Sequence, residues 1–375
     1  MTDYRKFFSE DVPSFMRSPV RDIFARVDLS AICSFAGGYP AAVTFPTEAI
    51  RALSSRVLDK YGTKALQYGA TQGVPELREA IAARYGVPVS RVQITTSSQQ
   101  GIDVCARIFL DPGDTVLSKA PTYLGALQSF RAYRANVVPL PGTGVAAKFI
   151  YTIPDFNNPS GETMSLKERE ELVAFAREQD LLIVEDAPYR ELRYSGEALP
   201  RLLDLAPERT LHLGSFSKIL APGLRLGWIL GPEPLLEQIY ICKQALDLCP
   251  PVFDQYIAAE YIRSGELDRG LVKTIAEYRR RRDRMLGLLE RYMPAGTSWT
   301  HPDGGLFLFL TLPESIDTVA LYDEALDAGV AYVAGSFFYT DGSHRNTMRL
   351  NFSFIDEEKM EPGIRLLSDI IRKQL

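Results

Sequence analysis

The chain has 375 residues, 46% of them apolar, and its 42 basic and 47 acidic side chains leave a net charge of −5. That length holds one large and one small domain or two comparable ones, and the balance is that of a globular protein rather than a disordered one. The weakly acidic charge disfavours a nucleic-acid binder: the one basic cluster, Arg279 to Arg282 with Arg284, sits on a helical pattern and reads as a solvated face. Cys33, Cys105, Cys242 and Cys249 form no CxxC pair, and only His212, His301 and His344 accompany them, so no metal site is expected. Residues 1–10 lack the apolar core of a signal peptide and no apolar run approaches membrane-spanning length, so the expectation is a cytoplasmic protein.

Residues 1–46 read as an arm, with short helix signals over 20–27 and then the loop Phe35-Ala36-Gly37-Gly38-Tyr39-Pro40. From 47 to 248 short β runs alternate with amphipathic stretches, the pattern of a parallel sheet wrapped by helices. Strands are predicted at 92–96, 115–117, 149–153, 181–184, 210–213 and 226–230. Ser165, with Glu168 three residues on, forms a capping box that opens a helix over 166–179. A long helix over 271–293, with Ile275, Met285, Leu286 and Leu289 as its apolar stripe, is expected to connect two domains. The remainder reads as α+β: a strand at 305–310, a helix at 315–328, short strands near Ala331 and Met348, and a closing helix from Glu358. The expected division is therefore 1–46 as an arm and part of a small domain, 47–270 as a large domain, 271–293 as connector and 294–375 as the small domain.

In open α/β sheets ligands bind beyond the carboxyl ends of the strands, and the polar outliers of this sequence fall there. Ser97-Ser98-Gln99-Gln100-Gly101 follows the first strand and opens a helix, serving either as a phosphate site or as an ordinary cap. Tyr123 follows the second, as a ring that stacks on a flat heteroaromatic or packs at a rim. Asn157-Asn158-Pro159-Ser160-Gly161 follows the third, a good turn in which Asn158 suits a phenolate oxygen. Glu185-Asp186-Ala187-Pro188-Tyr189 follows the fourth. A carboxylate there is costly to bury unless it meets a cation such as a pyridinium N–H, although Asp186 also suits a helix N-cap; Tyr189 faces the same phenolate as Asn158. The fifth leads into Gly214-Ser215-Phe216-Ser217-Lys218, where Gly214 and the two serines are expected to form a tight polar turn, with Arg225 seven residues on. A lysine beneath a serine-rich phosphate cradle can carry an aldehyde cofactor as a Schiff base. Near the end, alternation over 348–354 sets Arg349, Asn351 and Ser353 on one face, where an arginine suits bidentate binding of an α-carboxylate.

The Lys218 run resembles the cofactor-lysine motif of fold-type-I pyridoxal-phosphate enzymes, specifically class I/II aminotransferases of the branch with α-aminoadipate and kynurenine aminotransferases. The likeness extends from the 35–40 loop to Met348-Arg349-Leu350-Asn351-Phe352-Ser353. It implies an α/β fold: a large domain with a mostly parallel seven-stranded sheet flanked by helices, beside a smaller α+β domain. It implies pyridoxal 5'-phosphate as cofactor, with Lys218 as its aldimine and proton shuttle and Asp186 and Tyr123 as its catalytic companions. Ser98, Gln99, Ser215, Ser217 and Arg225 would hold the phosphate, Tyr123 would cover the ring, Asn158 and Tyr189 would bind its oxygen and Asp186 its nitrogen. Arg349, Asn158 and the backbone of Gly38 would take the substrate carboxylate. Tyr68, in Leu66-Gln67-Tyr68-Gly69, would reach the phosphate of a neighbouring subunit, which implies a homodimer. Ser18 and Arg21 lie where relatives cover the side-chain pocket. Arg21 suits an acidic substrate, whereas Tyr39, Phe337 and Phe338 suit aromatic or aliphatic ones.

The implied activity is ping-pong transfer of the α-amino group of an L-amino acid to a 2-oxo acid. The alternative on the same anchors is elimination or replacement at the β or γ carbon, cyclisation or oxidation. A ligand sensor in a transcription regulator would need a winged-helix segment, for which residues 1–30 are too short. The chain departs from the family pattern at Ser97 (glycine is usual), Asn157 (glutamine), Ala187 (aspartate) and Ala334 (proline), and its 137–148 stretch has no room for the surface helix that relatives place there.

Overall fold

The computed structural model describes residues 2–15, 17, 31–142 and 144–375. A short strand, β1 (Cys33–Ser34), precedes the main sheet of β2 (Val92–Thr95), β3 (Thr115–Ser118), β4 (Asn136–Pro139), β5 (Phe149–Thr152), β6 (Leu182–Asp186), β7 (Thr210–Ser215) and β8 (Gly227–Leu230). Its order is β2-β8-β7-β6-β5-β3-β4. From β4 to β7 all neighbours are parallel, and β8 runs antiparallel to both β7 and β2. Phe149, Ile150, Tyr151, Ile183 and Val184 are wholly buried, as a sheet covered by helices on both faces demands. The α/β class is the one expected.

Because β2 is antiparallel to β8, it points the same way as the parallel strands. The carboxyl ends of β2, β3, β5, β6 and β7 therefore share one edge, and the residues that follow each strand converge there. Two of these strands run further than the sequence implied. Glu185 and Asp186 still pair within β6 (Asp186 opposite Leu213), and Gly214 and Ser215 still pair within β7 (Ser215 opposite Gly227). Ladder pairing overrides the turn character of Gly214-Ser215, and the turn begins only at Phe216. Gly214 also has a packing reason to lack a side chain: a Cβ there would meet the Trp228 ring at 2.0 Å.

β4 was not anticipated. Its Asn-Val-Val-Pro sequence reads as a loop, and only an edge position, half in solvent, lets proline end such a strand. The connection onward to β5 carries no helix in its described residues. The helix expected at 315–328 shrinks to Tyr322–Asp327: Asp317 caps Val319 and Ala320, and Thr318 turns inward to the carbonyls of Arg345 and Thr347. The signals at 20–27 lie outside the described residues.

Beyond the long helix Glu266–Tyr292 come β9 (Ser298–Trp299), β10 (Phe307–Thr311), β11 (Val330–Ala331), β12 (Val333–Ala334) and β13 (Thr347–Asn351), then the helix Glu357–Arg372. β11 pairs in parallel with β1, while β12-β13-β10-β9 form an antiparallel sheet in which Arg349 lies opposite Phe309. The capping box of Ser165 and Glu168 forms as the sequence predicts. Among the described residues no helix is long and apolar enough to cross a membrane.

Candidate active site

A cavity of about 790 Å³ opens off the carboxyl edge of the main sheet. Its wall brings together Gly38, Tyr39, Ser98, Gln99, Tyr123, Asn158, Asp186, Tyr189, Ser215, Ser217, Lys218, Arg225 and Arg349. Of the residues singled out from sequence, Phe337 and Phe338 do not line it. Tyr68 stands outside, 78% exposed; Arg21, like Ser18, lies outside the described residues.

One end of the cavity is built for an anion. The guanidinium of Arg225 donates to Ser97 Oγ at 2.9 Å and to the Pro222 carbonyl at 3.3 Å. Ser215 Oγ donates to Ser217 Oγ at 2.9 Å while accepting the Ser217 N–H at 3.1 Å. The helix Ser97–Phe109 begins beside them, adding backbone N–H groups and the positive end of its dipole. The side chain of Gln99 is taken up by neighbours. Its amide nitrogen donates to the Gly125 carbonyl and Ser129 Oγ, both at 3.0 Å, and its oxygen accepts from the Tyr123 hydroxyl at 3.1 Å. The side chain thus fixes the Tyr123 ring against the cavity and leaves the backbone of Gln99 for the anion. Gly125 permits this, since a Cβ would lie 2.5 Å from both Gln99 and Tyr123.

At the other end Asp186 is buried at the tip of β6. Its Oδ2 accepts from the Tyr151 hydroxyl at 2.7 Å, but its Oδ1 is buried without a partner among the described residues. Burial pushes this carboxyl up to about 7, against the pull of the Tyr151 hydrogen bond. A buried carboxylate with one unfilled oxygen calls for an N–H cation. Lys218 reaches in from the turn after β7 and donates to the Gly38 carbonyl at 2.7 Å. Burial, with the positive charges of Arg349 and Arg225, lowers its amine to about 8.

Arg349 comes from the second sheet. It donates to Asn158 Oδ1 at 2.8 Å and to the Ala36 carbonyl at 2.6 Å, while its Nε is buried without a partner among the described residues. Its guanidinium carbon lies 4.3 Å from the centroid of Phe307 and 5.1 Å from that of Phe338. Burial lowers it to about 10, which leaves it charged at neutral pH. Asn158 turns its amide nitrogen to the Tyr189 hydroxyl at 3.4 Å. Tyr39 lines the mouth, edge-on to Phe354 at 5.4 Å.

Sequence reasoning missed three contributors. Tyr151 sits inside a strand, where tyrosine is an ordinary β-former; the signal available was the period-2 face that it shares with the strand's end. Phe307 and Gln128 line the cavity from elements whose approach depends on tertiary packing.

An orphaned carboxylate oxygen, an arginine–serine anion cradle and an amine, all lining one cavity, together suit a flat phosphorylated aldehyde with a protonated ring nitrogen, which is pyridoxal phosphate. The comparisons with known proteins agree. Residues 37–367 match the family described as aminotransferase class I and II. The chain is 43% identical to the aromatic-amino-acid aminotransferase 1 of Thermococcus litoralis, covering 100% of this chain and 96% of that protein. It superposes on the kynurenine aminotransferase of Pyrococcus horikoshii, solved with PMP, kynurenine and its product, with a TM-score of 0.95 at 41% identity, covering 100% of this chain and 98% of that one. It also superposes on the α-aminoadipate aminotransferase LysN of Thermus thermophilus, complexed with N-(5'-phosphopyridoxyl)-L-leucine, with a TM-score of 0.94 at 33% identity, covering 100% and 99% of the two chains. The chain therefore belongs to the class I and II aminotransferases, pyridoxal-phosphate-dependent enzymes of fold type I.

Proposed function

We propose that this aminotransferase moves the α-amino group of an L-amino acid to a 2-oxo acid by a ping-pong cycle, with pyridoxal phosphate seated on Lys218. The observation that carries the assignment of residues is the orphaned Oδ1 of Asp186, across one cavity from the Arg225–serine cradle and the Lys218 amine. In this reading Ser98, Ser215, Ser217, Arg225 and the Gln99 backbone hold the phosphate. Tyr123 covers the ring, Asn158 and Tyr189 bind its oxygen, and Asp186 keeps its nitrogen protonated. When bound there, the cofactor supplies an aldehyde for the substrate amine and a ring that withdraws electrons from the substrate α-carbon.

The chain's own groups do the rest. Arg349 takes the α-carboxylate, for which its unfilled Nε and the Asn158 amide stand ready. That anchor fixes which α-bond faces Lys218, and so favours proton removal over decarboxylation. The Lys218 amine, lowered to about 8, is neutral in an appreciable fraction at physiological pH and can take the α-proton and return it. Exposed Leu66 and Tyr68 support a homodimer in which Tyr68 reaches the neighbouring subunit's phosphate. Four free cysteines suit a reducing, cytoplasmic setting.

The test is a screen of amino acids against the cofactor-loaded protein, watching the cofactor spectrum change to its amine form, followed by steady-state transfer to 2-oxo acids. Parallel double-reciprocal lines are expected; release of ammonia or peroxide without oxo-acid acceptance would assign the site to elimination or oxidation instead. Arg349→Ala is expected to lower kcat/KM for amino acids about a hundredfold, the scale of losing a buried charge contact. Cofactor affinity should stay unchanged, and amines that lack a carboxylate should show no added loss.

A further inference from the structure

Ser97 lines the cavity and is 5% exposed, with its backbone at φ 66, the left-handed region that favours glycine. The surroundings hold it in that conformation. Gly227 passes so close that a Cβ on it would meet Ser97 C at 2.7 Å, and the Ser97 carbonyl accepts from Thr95 Oγ1 at 3.0 Å. A side chain kept at a position shaped for glycine calls for a reason, and its hydrogen bonds supply one. Ser97 Oγ accepts from Arg225 at 2.9 Å and, more weakly, from the Gln99 N–H at 3.4 Å. A hydroxyl has two acceptor positions and one hydrogen. With Arg225 on one acceptor position and the Gln99 N–H placed between the other and the anion, the hydrogen remains, and it has no acceptor among the described residues.

We propose that the Ser97 hydroxyl is an added phosphate ligand: it steadies the Arg225 guanidinium through its oxygen and gives its own hydrogen to the anion that Arg225 binds. The proposal rests on reading this pocket as the pyridoxal-phosphate site. Ser97, at the start of the helix Ser97–Phe109, adds a neutral donor to those of the serines in the lysine turn, beside the Arg225 cation.

The test uses Ser97→Gly and Ser97→Ala with two probes that lack the aldehyde and so bypass Lys218: 4'-deoxypyridoxine 5'-phosphate and unphosphorylated 4'-deoxypyridoxine. Equilibrium binding and the melting temperature of the cofactor-free protein are measured. Both variants are expected to bind the phosphorylated probe roughly tenfold more weakly and the unphosphorylated one as wild type does. Ser97→Gly should also melt higher than wild type, because glycine relieves the left-handed backbone. Equal losses for both probes would overturn the proposal, and so would weak binding confined to Ser97→Ala, which would assign the effect to backbone conformation. Wild-type protein that takes up neither probe would overturn the cofactor reading itself, an outcome distinct from either of these.

Discussion

Lys218→Ala is expected to cut amino transfer by about ten-thousandfold or more, because one amine serves as both covalent anchor and proton carrier. The variant should still bind pyridoxal phosphate, since the Arg225 and serine contacts that hold the anion are separate from the lysine. Borohydride followed by peptide mass spectrometry separates the two effects: wild type carries the reduced adduct on Lys218 and the variant carries none. An adduct at another lysine, such as Lys119 or Lys243, would remove the basis for the site. The same amine makes a pH prediction. Burial and two nearby arginines lower its pKa from 10.5 to about 8, so in cofactor-free protein its labelling by an amine reagent should rise with pH with its midpoint near 8. Ordinary surface lysines would continue to rise toward 10.5.

Asp186→Asn should slow turnover by about a hundred- to a thousandfold, the loss typical of removing one preorganised charge from a buried site. Its effect on stability runs the other way. The folded-state pKa of Asp186 is about 7 against an ordinary 3.8, so the carboxyl is harder to ionise in the native protein than in the unfolded chain. Below pH 3.8 it is protonated in both states and costs nothing. Between 3.8 and 7 the unfolded chain releases the proton more readily, and stability falls as pH rises. Above 7 the cost is complete, on the order of 4 kcal/mol. Cofactor-free Asp186→Asn should therefore melt above wild type at pH 8, with the gap closing near pH 4. A variant less stable than wild type at pH 8 would mean that the carboxylate already has a partner. Tyr151 enters the same balance, since its hydroxyl is the one hydrogen-bond donor to the carboxylate among the described residues.

Much of this site was legible in the sequence, for a physical reason: a polar residue at the end of an apolar run in an open sheet has few reasons to be there other than a ligand. Ser98, Asp186, Ser215 and Lys218 each follow or close a buried strand, and each lines the cavity. Arg349 stood out for a different reason, the alternation of β13. What stayed hidden depended on long-range pairing. The rings around Arg349 come from β10 and from the turn Gly335–Phe338, and nothing local links them to position 349. Gln99 was expected at the phosphate; that its side-chain amide fixes Tyr123 depends on where the helix Leu124–Ala132 packs. β4 was missed because an edge strand needs little apolar character, and Glu185-Asp186 were placed just beyond their strand and Gly214-Ser215 in a turn because ladder pairing carries polar residues further than their propensities suggest.

The slot around residue 349 limits how the enzyme can be altered. A flat cation enclosed by two benzyl rings, an asparagine and a backbone carbonyl has no close substitute: a lysine head is round, lacks the paired donors, and gives up its proton easily in dry surroundings. On the proposed assignment, anyone retuning which amino acids are accepted should leave that position intact and vary Tyr39 and Gln128, which line the same cavity.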